Sequence, residues 1–205
     1  VPMLPARFER LPLPDGRLHF VAGWLGAEEA DALFEGLSAQ VPWEVHRIRL
    51  FGREVESPRL SCWIGDSGAS YVYSRTRFEP RPWLPALQEL RLRLERETGA
   101  RFNSVLANLY RDGADAMGWH ADDEPELGAR PVIASVSLGA TRRFLLRHRR
   151  ERGRRLALEL PHGSLLLMSG DTQANWQHAL ARTVRPVGPR INLTFRWIRG
   201  TAAPA

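Results

Sequence analysis

His120 and Asp122 are separated by one residue, so in extended backbone the imidazole and the carboxylate project from the same face. His178, farther along the chain, is the candidate third member. Two neutral imidazoles and one carboxylate suit a non-haem iron and leave coordination positions open for oxygen chemistry. The same residue types also fit a plainer arrangement, an imidazole hydrogen-bonded to a neighbouring Asp, and the tripeptide alone does not choose between them.

A second set of residues lies near the C-terminus. In the run from Arg190 to Ile198, strand alternation puts Arg190, Asn192, Thr194 and Arg196 on one face and Ile191, Leu193, Phe195 and Trp197 on the other. If the polar face meets water, the two arginines are ordinary surface groups. If it lines a cavity, two buried guanidiniums need an anion to offset their desolvation, and a small dicarboxylate serves both. Asn108 and Tyr110 repeat the two-residue spacing and offer an amide and a phenol to the same kind of ligand, although a core Tyr beside a turn-capping Asn reads equally well.

These residues need elements to hold them. Ala30, Leu33, Phe34 and Leu37 recur at helical spacing, as do Leu87, Leu90 and Leu94 after Pro82 and Pro85. Between the two helices, residues 43–75 read as short hairpins outside the core. From residue 102 to 198 strand follows strand, at 104–110, 132–138, 143–148, 156–160, 164–168, 178–181 and 190–198. That pattern predicts a mainly β fold with flanking helices, a sandwich or jelly roll. Residues 1–17 are expected to form an extended arm and 199–205 a loose tail on a single domain. Core packing is the default for Cys62, Trp63 and Trp119.

Composition narrows the function classes. The chain has 205 residues, a net charge of +6, and 29 basic side chains that are all Arg. Guanidiniums fork onto phosphates and carboxylates, so a polyanionic partner is the first hypothesis and a solvated basic surface the second. Eight of the arginines fall between Arg142 and Arg155, among them Arg147, Arg149, Arg150, Arg152 and Arg154, with Glu151 the lone acid. Such a run neutralises phosphates without reading sequence. One cysteine excludes an internal disulfide, and no apolar run is long enough to span a bilayer. The expectation is a cytoplasmic monomer with no membrane partner.

Two further features are aromatic. Tyr71 and Tyr73 share a strand face and offer stacking surfaces, and Phe51, Gly52 and Arg53 sit at a turn that would expose an apolar tip. Core packing accounts for the same aromatics equally simply.

Taken together, Asn108-x-Tyr110-x-Asp112-Gly113, Gly118-x-His120-x-Asp122-Asp123-Glu124, Trp176-x-His178 and Arg190-x-Asn192-x-Thr194-Phe195-Arg196 resemble the AlkB family of Fe(II)/2-oxoglutarate dioxygenases. Upstream, Phe51-Gly52, Pro58-Arg59, Gly65-Asp66 and Tyr71-x-Tyr73-Ser74 also look like the members that repair alkylated duplex DNA. The resemblance implies a double-stranded β-helix with a nucleotide-recognition hairpin region. It implies Fe(II) on His120, Asp122 and His178, and 2-oxoglutarate held by Arg190 at its distal carboxylate. Asn108, Tyr110, Thr194 and Arg196 complete that pocket, with Asn192 in support. It further implies that O2 is consumed and that 1-methyladenine or 3-methylcytosine in DNA is demethylated with release of formaldehyde, succinate and CO2. Phe51, Gly52, Arg53, Tyr71, Tyr73, Asp123 and Glu124 would contact the substrate, and Arg142, Arg147, Arg149, Arg150, Arg152 and Arg154 the DNA backbone. The alternatives are an RNA demethylase, a protein hydroxylase of the same superfamily, or a non-catalytic jelly roll that binds nucleic acid.

Overall fold

A computed structural model describes residues 4–50, 53–73 and 76–199; within these, the side chains of 46–50, 53–55, 71–73 and 76–78 are left undescribed. The strands are β1 (Glu9–Leu11), β2 (Arg17–Val21), β3 (Glu44–Leu50), β4 (Arg53–Gly65), β5 (Tyr71–Tyr73), β6 (Thr76–Phe78), β7 (Ser104–Tyr110), β8 (Met117–His120), β9 (Ile133–Gly139), β10 (Arg142–His148), β11 (Arg155–Leu160), β12 (Ser164–Ser169), β13 (Trp176–Leu180) and β14 (Arg190–Arg196). The helices are α1 (Ala27–Gln40), α2 (Pro85–Thr98) and the one-turn α3 (Thr172–Asn175).

Two antiparallel sheets face each other. The major sheet has the order β1-β2-β12-β9-β14-β7-β4-β3, and the minor sheet β11-β10-β13-β8. Their strands alternate as the sequence does. Val105, Ala107, Val136, Leu138, Ile191, Leu193 and Phe195 turn outward from the major sheet and pack against Ala30 and Leu37 of α1 and Leu87, Leu90 and Leu94 of α2. α2 starts on Pro85, whose fixed φ suits a first helical turn, and stops at Gly99, whose φ of 66° few other residues adopt cheaply. The other face of the major sheet meets the minor sheet through Leu18, Ile133, Leu166 and Met168 against Phe144, Leu146, Leu160 and Trp176.

The apolar contact between the sheets covers only one end of the gap. At the other end the inward positions are polar, and register brings them together. β14 lies between β9 and β7, with Arg190 opposite Tyr110, Asn192 opposite Asn108 and Ser137, and Thr194 opposite Ser135. The site sits there.

Three expectations change. The stretch read as an arm supplies β1, which pairs with β2 at the edge of the major sheet, and Pro14 O accepts a hydrogen bond from Trp176 Nε1. The segment read as hairpins outside the core does form two, β3-β4 and β5-β6, but the first of them joins the major sheet. β4 pairs with β7 from Leu60 to Gly65, which buries Cys62 and Ile64 in the main core. Trp63 is buried as expected, but Trp119 is 37% exposed because it faces away from the partner sheet.

Candidate metal and cosubstrate site

β8 and β13 are antiparallel neighbours with His120 opposite His178, so two residues distant in sequence present imidazoles side by side, ring centroids 4.2 Å apart. Asp122 follows β8 by two residues and turns into the same space. The candidate ligand atoms of His120, Asp122 and His178 lie within 4.8 Å of one another.

Each of the three is held. His120 Nδ1–H donates to Gly118 O at 2.8 Å, which leaves the Nε2 lone pair available. Phe144 stacks on the His178 ring with centroids 5.3 Å apart. The backbone N–H of Asp122 donates to Gln173 Oε1 at 2.9 Å, and its Oδ1 accepts from Arg196 Nη2 at 2.5 Å. Its Oδ2 is buried and has no hydrogen-bond partner among the described residues; it lies 4.0 Å from His178 Nε2.

Protonation states follow from burial and charge. Burial, reinforced by the neighbouring His120, pushes His178 down to about 3, so its imidazole is neutral at physiological pH. Burial works to raise the Asp122 carboxyl, but Arg196, His178 and His120 outweigh it and hold the group below its ordinary value. A buried, ionised carboxylate oxygen without a donor among the described residues, facing two imidazoles, is the donor set of a divalent cation. The residues fit an iron.

The polar inward row of the major sheet forms the rest of the pocket. Together with Leu106, Met117 and Met168 these residues surround about 500 Å³ of empty space, open solvent at the mouth included. At its far end Arg190 is 2% exposed. Its Nη2 donates to Ser137 Oγ at 2.9 Å and its guanidinium lies 5.4 Å from the Tyr110 ring centroid. Its Nε has no partner, and no carboxylate among the described residues pairs with it. Burial lowers it to about 10, which still leaves it cationic at neutral pH. A buried cation without a counter-ion, in a pocket that ends on Asn108 and Tyr110, fits a carboxylate. Asn192 donates to Ser135 Oγ at 2.7 Å and accepts from Thr194 Oγ1 at 2.9 Å, so these two brace the pocket floor.

Two contributors had no role assigned from the sequence, Arg59, which stood only within the Pro58-Arg59 motif, and Gln173. Arg59 is buried, and its Nε donates to Asn108 Oδ1 at 2.8 Å while Nη1 donates to Ser57 Oγ at 2.9 Å. Gln173, in the one-turn α3, fixes the Asp122 backbone from 51 residues away, and no local pattern announces that contact.

The substrate-side residues fare unevenly. Phe51 and Gly52 lie outside the described residues, and for Arg53, Tyr71 and Tyr73 only the strand backbone is described. Asp123 is exposed beside the metal cluster and pairs with Arg149 at 2.6 Å, and Glu124 is half-buried. The basic run is a hairpin, β10 to β11, rather than a free loop. Arg150 and Arg152 are exposed at its tip, Arg154 pairs with Glu151 and Asp15, and Arg147 donates to Gln177 Oε1 at 3.0 and 2.8 Å. Arg142 does not face DNA. It is 3% exposed and spends its donors on the backbone oxygens of Asp112, Asp115 and Ala181 at 2.8 to 2.9 Å, because position 142 points inward at the start of β10.

Against known proteins, residues 17–196 match the profile of the 2OG-Fe(II) oxygenase superfamily. The chain belongs to this superfamily. Within it, the chain is 42% identical over 196 residues to human "Alpha-ketoglutarate-dependent dioxygenase alkB homolog 3", covering 91% of this chain and 68% of that one. It is also 42% identical over 183 residues to human "DNA oxidative demethylase ALKBH2", covering 84% and 70% respectively. A solved structure of OsALKBH1 superposes with a TM-score of 0.61 over 92% of this chain at 16% identity, a likeness of fold. Fe(II) and 2-oxoglutarate are therefore the cofactors of this oxygenase, and the His-Asp-His cluster is where the metal fits.

Proposed function

We propose that the protein is an oxidative demethylase of N-alkylated DNA bases, acting on lesions of the 1-methyladenine and 3-methylcytosine type. The observation that carries the proposal is the buried Oδ2 of Asp122, without a hydrogen-bond partner among the described residues and clustered with two imidazoles, in a pocket that ends on Arg190, a cation with no carboxylate partner among them. The resemblance to proteins named DNA oxidative demethylases supplies the substrate class.

In this reading His120, Asp122 and His178 hold Fe(II), which with 2-oxoglutarate and O2 supplies the oxidation of an N-methyl group to an N-hydroxymethyl group. That product loses formaldehyde and leaves the free base. Arg190 binds the distal carboxylate of 2-oxoglutarate, and Tyr110 flanks it. Asn108, its Oδ1 already engaged by Arg59, has its NH2 group left to donate to the cosubstrate. Arg196 neutralises Asp122 and lies near the metal-bound end. Met117, Leu106 and Phe144 keep bulk water from the reacting atoms. Asp123, held by Arg149 beside the metal cluster, is the carboxylate that would favour a base carrying a positive charge once methylated over the normal base. Flipping such a base costs less because it pairs badly.

The test is mass spectrometry of oligonucleotides carrying 1-methyladenine or 3-methylcytosine, incubated with Fe(II) and 2-oxoglutarate anaerobically and then in air. Loss of the methyl group that needs all three cosubstrates supports the proposal, and consumption of 2-oxoglutarate without demethylation overturns the substrate. In His178→Ala we expect turnover to disappear. Activity confined to RNA or to a peptide would move the protein to the corresponding alternative.

A further inference from the structure

Trp119 sits one residue before the metal cluster's His120 on β8, so its indole lies on the opposite, outer face of the minor sheet. Among the described residues it is the aromatic one of the large hydrophobic side chains left exposed. The Arg147 guanidinium lies over its ring, Cζ 4.3 Å from the centroid, and is fixed there by Gln177 Oε1 at 3.0 and 2.8 Å. Register extends this into a row across the outer face. Arg155 on β11 is opposite Arg147 on β10 and Arg147 is opposite Gln177 on β13, while Trp119 on β8 lies diagonal to Gln177, since His178 is opposite His120, and joins the row through the Arg147 guanidinium. Arg143, two residues before Leu145 on the same face, is exposed and has Glu159 across from it.

The Trp119 indole is 37% exposed, and the guanidinium held on its face gains from the ring's electron-rich surface. The pair presents a guanidinium stacked on one face of the indole, a flat cationic surface of the kind that binds unpaired bases by stacking and their phosphates by charge. A duplex cannot use such a plate, since its bases are already stacked. β8 is also the edge strand of the minor sheet, so a strand that leaves the metal pocket can cross that edge without meeting another strand of the sheet.

The geometry points to the outer face of the minor sheet as a docking surface for the single-stranded flank of the nucleic-acid substrate, with Trp119 and Arg147 stacking a base and Arg155 taking phosphate. This rests on the demethylase reading and extends it, because it assigns the strand state of the flanking nucleotides. The face belongs to a strand of either sugar, and both DNA and RNA enter the test.

The experiment measures fluorescence anisotropy of labelled single-stranded DNA, single-stranded RNA and blunt duplex DNA of one sequence with the wild-type protein, Trp119→Ala, Trp119→Phe and Arg147→Gln. Demethylation of a methylated mononucleotide runs in parallel. We expect Trp119→Ala to bind single strands about tenfold more weakly, Trp119→Phe to retain most of the affinity, and duplex binding to change little. Mononucleotide turnover should be unchanged in Trp119→Ala, which also shows that the site is folded. A larger loss for DNA than for RNA, or the reverse, identifies the strand the face prefers. Equal single-strand affinity in the wild type and Trp119→Ala overturns the surface while leaving the demethylase reading intact. An equal loss on duplex and single strand overturns it as well. If the wild type demethylates neither nucleotide nor oligonucleotide, the demethylase reading fails, and the anisotropy series still decides the surface.

Discussion

A hydrogen bond to an amide oxygen settles which way the amide faces, and that makes Arg59 a residue to test. Its Nε at 2.8 Å from Asn108 Oδ1 turns the Asn108 NH2 group into the pocket, and a carboxylate or keto oxygen is what that group can hold. Arg59→Met keeps the stem of the side chain and removes the donors. We expect the KM for 2-oxoglutarate to rise about tenfold, kcat to change less, and titration calorimetry with Mn(II) to show the same loss of cosubstrate affinity. Equal falls in kcat and kcat/KM with unchanged cosubstrate affinity would assign Arg59 to the substrate side instead. The candidate site residues were legible from spacing, since His120 with Asp122, Asn108 with Tyr110, and the alternate residues from Arg190 to Arg196 are each local repeats of two, while their assignment to Fe(II) and 2-oxoglutarate, and the choice of His178, rested on the family resemblance. Arg59 and Gln173 were not, because their roles depend on partners 49 and 51 residues distant.

At the scale of elements, register does what spacing cannot. β8 is four residues long and includes an exposed Gly118, so it shows no alternation to find in the sequence; it is a strand because β13 pairs with it. Charge patterning misled in the same region. Arg142 opens the basic run but points inward, and its guanidinium joins the loop after β7 to the end of β13 through three backbone oxygens. Arg142→Ala leaves those buried acceptors unpaired. We expect a loss of about 2–4 kcal/mol in chemical denaturation with oligonucleotide affinity nearly unchanged. The neighbouring Arg150→Ala and Arg152→Ala should do the opposite. The loop also stores an acid-sensitive contact. Arg111 donates to Asp115 from Nε, Nη2 and the backbone N–H at 2.8 to 2.9 Å, and the side-chain bonds do most to hold the Asp115 carboxyl below its ordinary value despite burial. A carboxyl whose folded pKa is depressed adds stability above its unfolded pKa, near 4, and loses it as pH falls through the folded value. Melting temperature should therefore fall steeply below about pH 4 in the wild type and more gently in Asp115→Asn.

At the scale of the whole molecule, a net charge of +6 carried by guanidiniums predicts binding governed by counter-ion release. Measured by anisotropy, the affinity for unmodified oligonucleotide should fall by at least tenfold between about 50 and 200 mM salt. The slope should be shallower in an Arg150→Gln, Arg152→Gln double variant. A salt-independent affinity would contradict an electrostatic interface. The sandwich and its two helices were legible because hydrophobic period follows burial. The N-terminal strands were not, since β1 is three residues long and β2 gains its place by pairing with β12, far along the chain.

The Arg-rich hairpin is wired to the metal loop through Arg149, whose Nη1 donates to Asp123 and to Gln173 O while the Gln173 side chain holds the Asp122 N–H. His148 adds a second anchor, its Nδ1 accepting from the N–H groups of Arg150 and Glu151. The hairpin thus has a fixed stem, held at His148 to Glu151 on one side and at Arg154 on the other, and a replaceable tip at Arg152 and Gly153. Sequence inserted between Arg152 and Gly153 changes how far the basic surface reaches without disturbing the iron ligands, whereas a change of length before Arg149 shifts the carboxylate itself. In descent or in engineering, the reach of this enzyme toward its polymer can vary as a cassette while its chemistry stays constant.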